Sequence, residues 1–132
     1  MKSEFPLSRY RESLEAIEFA VDRGLATHQR SIGFNTSSAA VDLLSLYLFG
    51  VKLITSGTQI QHTWFKSTKR AYEKLAFAFP NKDRIIILLK KIESRRDAFC
   101  YGVDQPVADV RAVLDAFHEL RELFRAMGLA AA

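Results

Sequence analysis

A chain of 132 residues, 48% hydrophobic and 26% charged, is long enough for one domain with a sizeable core and too apolar for a disordered segment. Its single cysteine, Cys100, excludes an internal disulfide framework, and no Cys/His cluster has the spacing of a zinc site. A net charge of +4 at pH 7 with a pI near 9.4 tolerates an anionic partner such as RNA without demanding one.

The opening stretch, "MKSEFPLSRYRESLEA", has no apolar segment of the signal-peptide type. The greasiest run, "DLLSLYLFGVKLI", is too short and too interrupted to span a bilayer. The expectation is a cytoplasmic protein with no membrane partner. Nothing in the chain alternates with the two-residue period of a strand, and no Asn-Gly or Asp-Gly hairpin turn is present.

Helical periodicity is found instead. Leu7, Tyr10, Leu14, Ile17 and Val21 form one apolar stripe, with Pro6 in the first turn and Gly24 at the end. A second helix starts between Thr27 and Asn35 and runs to about Ile54. Its second half is apolar nearly all round, which marks the central element of a bundle; Gly33 and Gly50 suggest close helix contacts or a bend. "TSGTQIQH" reads as a loop. A third helix covers roughly Thr63 to Ala78, with Trp64, Thr68, Ala71, Tyr72 and Leu75 facing inward. "FPNKD" breaks it, and Asn81 is placed to cap a fourth helix from Lys82 to about Tyr101, ending at Gly102. The last helix begins at the "DQP" turn, with Pro106 in its first turn and Val110, Val113, Phe117, Leu120 and Phe124 as its inner stripe. Residues 128–132 read as a frayed tail. The resulting expectation is a single all-α domain over residues 1–132, an up-and-down four-helix bundle with one extra helix.

One residue breaks the pattern. On the fourth helix, with about 100° per residue, Arg96 falls in the middle of the stripe formed by Ile85, Leu89, Ile92, Phe99 and Val103. A guanidinium there needs compensation, because an unpaired buried charge costs several kcal/mol. Three arrangements satisfy it: an ion pair with Glu93 or with an acid on another helix such as Asp42, an anion held in a cleft or subunit interface, or escape of the head group past Phe99 to water.

The stretch around it, "IESRRDAFCYG", resembles the signature of the HEPN superfamily (higher eukaryotes and prokaryotes nucleotide-binding domains). Active members carry Arg, four to six variable residues and then His, often within Glu-x-x-Arg-Asn … His-Gly-Tyr at a helix end. Glu93, Arg96 and Gly102 match; Asp97 stands where asparagine is usual, Tyr101 where the histidine belongs, and Val103 where the second tyrosine often is. The resemblance implies a HEPN-type bundle, a homodimer, and a metal-independent ribonuclease cleft lined by arginine and histidine of two subunits. It also implies a partner class, since small HEPN proteins are often paired with minimal nucleotidyltransferases in toxin–antitoxin modules.

In such a cleft the arginine holds phosphate and the histidine moves a proton near neutrality. Tyrosine, with a reference pKa near 10, is a poor base there. The expectation is therefore a catalytically degenerate binder of nucleotide, RNA or a partner protein at Arg96, without a cofactor or metal. Tyr101 stands as the tentative catalytic partner, and Glu93, Arg95, Asp97, Gly102 and His62 as support. The alternative is an active endoribonuclease in which Arg96 works with Tyr101 or His62; the third is a structural bundle in which Arg96 pairs with Glu93. Of the other histidines, His28 reads as surface and His118 as half-buried structure, while His62 either caps the Trp64 helix or reaches the Arg96 cleft. Cys100 reads as a small buried hydrophobe. Lys66, Arg70 and Lys74 draw a basic line that would serve as an RNA track only beside Arg95 and Arg96.

Overall fold

The computed structural model describes residues 4–132, with side chains from residue 6 onward. These residues form five α-helices and no strand: α1 (Glu4–Arg23), α2 (Gln29–Gly50), α3 (Thr68–Lys74), α4 (Lys82–Tyr101) and α5 (Val107–Ala126), with a 3₁₀ turn at His62–Lys66 before α3. The all-α expectation holds.

The ends of α2 and α5 follow one rule. Lys52 takes a left-handed conformation (φ 63°), its N–H donating to the Phe49 carbonyl while that of Leu53 donates to Leu48. This pair of bonds is the Schellman closure, and it stops α2 at Gly50 rather than near Ile54. Gly128 (φ 98°) closes α5 in the same way, its N–H on the Arg125 carbonyl and that of Leu129 on Phe124. The chain then turns back, Arg125 donates to the Ala132 carbonyl at 2.9 Å, and Ala132 is buried. Residues 128–132 are a packed return, not the frayed tail expected.

The third predicted helix is also corrected. Ser67 sits in extended backbone and its Oγ accepts from the Arg70 N–H at 3.2 Å, so it caps a fresh helix and splits the segment in two. Phe65, Ala71 and Leu75 are the buried residues of this segment, whereas Thr68 and Tyr72 are exposed. Asn81 stands at the cap position of α4, but in a left-handed conformation and without a side-chain cap bond.

The central helix is α2, which packs against α1, α4, α5 and the 3₁₀ turn. Its Leu43, Leu44 and Leu48 are fully buried, and Tyr47 lies between Phe79 and Phe124 with ring centroids at 6.5 and 5.7 Å. The predicted inner stripe of α5, Val110, Val113, Phe117, Leu120 and Phe124, is buried throughout. The start of α2 is tied to the turn between α4 and α5 by buried Gln29, whose amide donates to the Gln105 carbonyl and accepts from the Gln105 N–H, each at 2.8 Å.

The pairing of α2 with α4 positions the site. Arg30 meets Tyr101, Gly33 meets Phe99, Phe34 meets Arg96 and Ser37 meets Glu93. Numbers rise on one helix as they fall on the other, so the two run antiparallel. Gly33 sets their separation: a Cβ there would lie 2.7 Å from the Phe99 Cβ, which cannot rotate away. Gly33→Ala is expected to destabilise the fold by about 2 kcal/mol through overpacking, read as a lower urea midpoint with an unchanged m-value.

Candidate functional site

Glu93 is buried on α4, and a carboxylate removed from water needs donors. It has two. Ser37 Oγ of α2 donates to Oε2 at 3.0 Å, and His62 Nδ1 of the 3₁₀ turn donates to Oε1 at 2.7 Å. With Nδ1 engaged as the donor, Nε2 of His62 is the nitrogen left for a ligand. The arrangement corrects two expectations: Glu93 is not the partner of Arg96, and His62 does not cap the next helix, where Gln61 holds the cap position.

Arg96 stands one turn beyond Glu93. Among the described residues no carboxylate pairs with it, and its buried Nε–H has no acceptor. The guanidinium lies over the ring of Phe34, 5.2 Å from the centroid, and Phe34 is itself half exposed. Stacking of this kind leaves the in-plane N–H groups of arginine free to bind an oxyanion. Since Ser37 is three residues beyond Phe34 on α2 and Glu93 three before Arg96 on α4, the His62–Glu93 pair and the Phe34–Arg96 pair sit side by side, one turn apart.

The other predicted residues are placed elsewhere. Arg95 faces Asp109 of α5 at 3.7 Å, and Asp97 pairs with Lys66 at 3.4 Å. Gly102 ends α4, its N–H on the Ala98 carbonyl at 3.1 Å. Tyr101 is 74% exposed and stacks on Arg30 rather than joining Arg96. Its hydroxyl forms no hydrogen bond with the Arg96–His62 group.

His28 bonds Thr27 and the Gly24 carbonyl at the start of α2, and His118 is exposed. The Cys100 thiol is pushed up by burial, against the pull of Arg96 and Arg30, and it donates to the Arg30 carbonyl. Lys66 belongs to the 3₁₀ turn and Lys74 to α3, with Lys74 over the Trp64 ring, so the basic line is split between two elements.

A groove of about 940 Å³ opens beside this cluster, between α1, α2 and residues 56–63. Phe34 and His62 belong to its wall, and Asp42 lies further along it. Burial pushes the Asp42 carboxyl up to about 6, opposed by the Arg9 guanidinium. The folded state therefore binds the proton more tightly than the unfolded chain, and stability falls as pH rises from about 4 to 6. Asp42→Asn is expected to flatten that slope and to stabilise the protein by about 2 kcal/mol at pH 7.5, measured as denaturation midpoints across pH.

Sequence reasoning missed Ser37, Phe34 and the groove. A signal was present, in the polar residues Ser37, Ser38, Asp42 and Ser45 that interrupt the most buried helix of the chain. Among the described residues no helix is long and apolar enough to cross a membrane, and no group of three or more His, Cys, Asp or Glu side chains is placed to hold a metal ion. Comparison with family models, curated proteins and solved structures returned no match. Among the described residues the fold is all-helical, and His62 and Phe34, the neighbour of Arg96, line a polar groove.

Proposed function

We propose that this protein binds a phosphate-bearing ligand, a nucleotide or RNA, at Arg96 and His62. The observation that carries the reading is the state of Arg96: a stacked guanidinium with a buried, unsatisfied Nε–H, no carboxylate partner, and an oriented imidazole one turn away. The terminal N–H groups of Arg96, unlike the buried Nε, reach solvent without a protein acceptor, and two-point contact through them suits phosphate geometry. The resemblance of "IESRRDAFCYG" to the HEPN signature supports the same ligand class. It adds a homodimer and a minimal nucleotidyltransferase partner within a toxin–antitoxin module, each open to co-purification and mass measurement.

A second reading is favoured by the His62–Glu93 contact. A histidine held by a buried carboxylate is equipped to take the proton of a ribose 2′-hydroxyl, while Arg96 stabilises charge on the phosphate. Attack of the 2′-oxygen on phosphorus breaks the bond to the 5′-oxygen, which leaves as a 5′-hydroxyl by taking a proton from water, while the proton taken by His62 passes to solvent; a 2′,3′-cyclic phosphate remains, with no metal required. In this reading His62 does the work that Tyr101 cannot.

One experiment separates the readings: an RNA oligonucleotide mixed with the protein in EDTA, with binding and cleavage followed together, beside Arg96→Ala. Binding without cutting, lost in the variant, is the expected result. Cutting to cyclic-phosphate ends, lost in Arg96→Ala and His62→Ala, would make the protein an endoribonuclease. Neither binding nor cutting would overturn both readings and leave a structural or partner-binding bundle.

A further inference from the structure

Four residues of α2, Phe34, Ser38, Asp42 and Ser45, are spaced four, four and three apart and form one wall of the groove. Opposite them α1 contributes Arg9 and Ser13. A polar stripe on the most buried helix is out of place in a packed core, and here it faces open space. Asp42 is the focus. Among the described residues no donor hydrogen-bonds its part-buried carboxyl and no cation reaches ion-pair distance; Arg9 acts on it only from further away. Its oxygens still reach the groove, so a ligand N–H would take the place of water at a carboxylate that the protein leaves without a donor.

The stripe begins at Phe34, the residue that carries the Arg96 guanidinium, and reaches Asp42 eight residues on, about 12 Å along the helix axis. Arg96 lies outside the groove's lining and Phe34 joins the two, so a nucleotide with its phosphate at Arg96 reaches the groove by passing the half-exposed Phe34 ring. The groove's volume exceeds what one nucleotide needs.

We infer that the groove is a base pocket, in which Asp42 accepts a hydrogen bond from the exocyclic amino group of a nucleobase whose phosphate lies at Arg96. This rests on the phosphate-binding reading above. Adenine, cytosine and guanine carry such an amino group. Uracil offers one N–H flanked by two carbonyl oxygens that would face the carboxylate, so it is disfavoured. Arg9 and Glu12 of α1 and His62 of the 3₁₀ turn are the other charged or titratable groups facing the groove, and none supplies an equivalent acceptor on the α2 wall. Because Asp42 titrates at about 6, the base preference fades when the pH drops below that value.

The test is binding of AMP, CMP, GMP, UMP and ribose 5-phosphate to the full chain at pH 7.5, followed by NMR titration for wild type, Asp42→Ala and Arg96→Ala. The three amino-bearing nucleotides are expected to bind about ten-fold more tightly than UMP, the worth of one hydrogen bond to a charged acceptor. Asp42→Ala brings them down to the UMP level and leaves ribose 5-phosphate unchanged. Equal binding of all four nucleotides, unaltered in Asp42→Ala, overturns the base pocket; the phosphate site still stands if ribose 5-phosphate binds and is lost in Arg96→Ala. Failure of every phosphate probe to bind, or indifference of binding to Arg96→Ala, overturns the phosphate site and the pocket with it.

Discussion

Arg96→Ala is expected to abolish RNA or nucleotide binding, with a loss of about a hundred-fold or more, while the protein keeps its fold. Hydrogen bonds from arginine to phosphate are charge-assisted, and two of them removed together account for a loss of that size. Stability responds differently. The variant gives up a partly exposed stack on Phe34, worth about 0.5–1 kcal/mol. It also relieves a buried Nε–H that has no acceptor, and the two effects oppose each other. A denaturation midpoint close to wild type, beside a lost binding isotherm, is the result that matches. A large loss of stability with binding unchanged would instead make Arg96 a packing residue.

His62→Ala is expected to show the opposite balance between stability and its cause. Removing the imidazole leaves Glu93 buried with Ser37 as its one donor. Leaving a buried carboxylate short of a hydrogen-bond donor typically costs about 1–3 kcal/mol or more. The cost here falls nearer to 2 kcal/mol, because His62 lines the groove and water can enter the space it vacates. Thermal unfolding should fall by about 8 °C at roughly 4 °C per kcal/mol for a chain of this size. Glu93→Gln, which keeps an acceptor for one donor and removes the buried charge, is expected to cost less than His62→Ala. Equal losses in the two variants would mean that packing, rather than the charged hydrogen bonds, holds the 3₁₀ turn to α4.

The two results bear on one arrangement. The 3₁₀ turn packs on the core through buried Phe65 and half-buried Trp64. Its polar contacts to α4 are His62–Glu93 and the Lys66–Asp97 contact at 3.4 Å. Both pairs join the same two elements and flank Arg96 in sequence. Lys66–Asp97 is exposed and contributes little, so the buried pair is the stronger of the two polar contacts, added to the packing of Phe65 and Trp64.

The helices were legible in the sequence because their apolar residues recur with the period of the structure they form. The inner stripe of α5 and the span of α4 up to Gly102 follow from spacing alone, and so does the central place of α2. The anomaly at Arg96 was legible for the same reason, since a charge within an apolar stripe contradicts the periodicity around it. The ends of α2 and α5 were not, because Lys52 in a left-handed conformation and the return of residues 128–132 depend on closures that many sequences can make. Nor was the partner of each polar group. Glu93 and Arg96 stand one turn apart, where local spacing permits an ion pair, yet Glu93 bonds residues 56 and 31 positions away and Arg96 stacks on a phenylalanine of another helix. Periodicity is a property of one helix and is written in its residues. Which side chains meet across helices depends on the close approach of α2 and α4 at Gly33, and only the packed structure decides it.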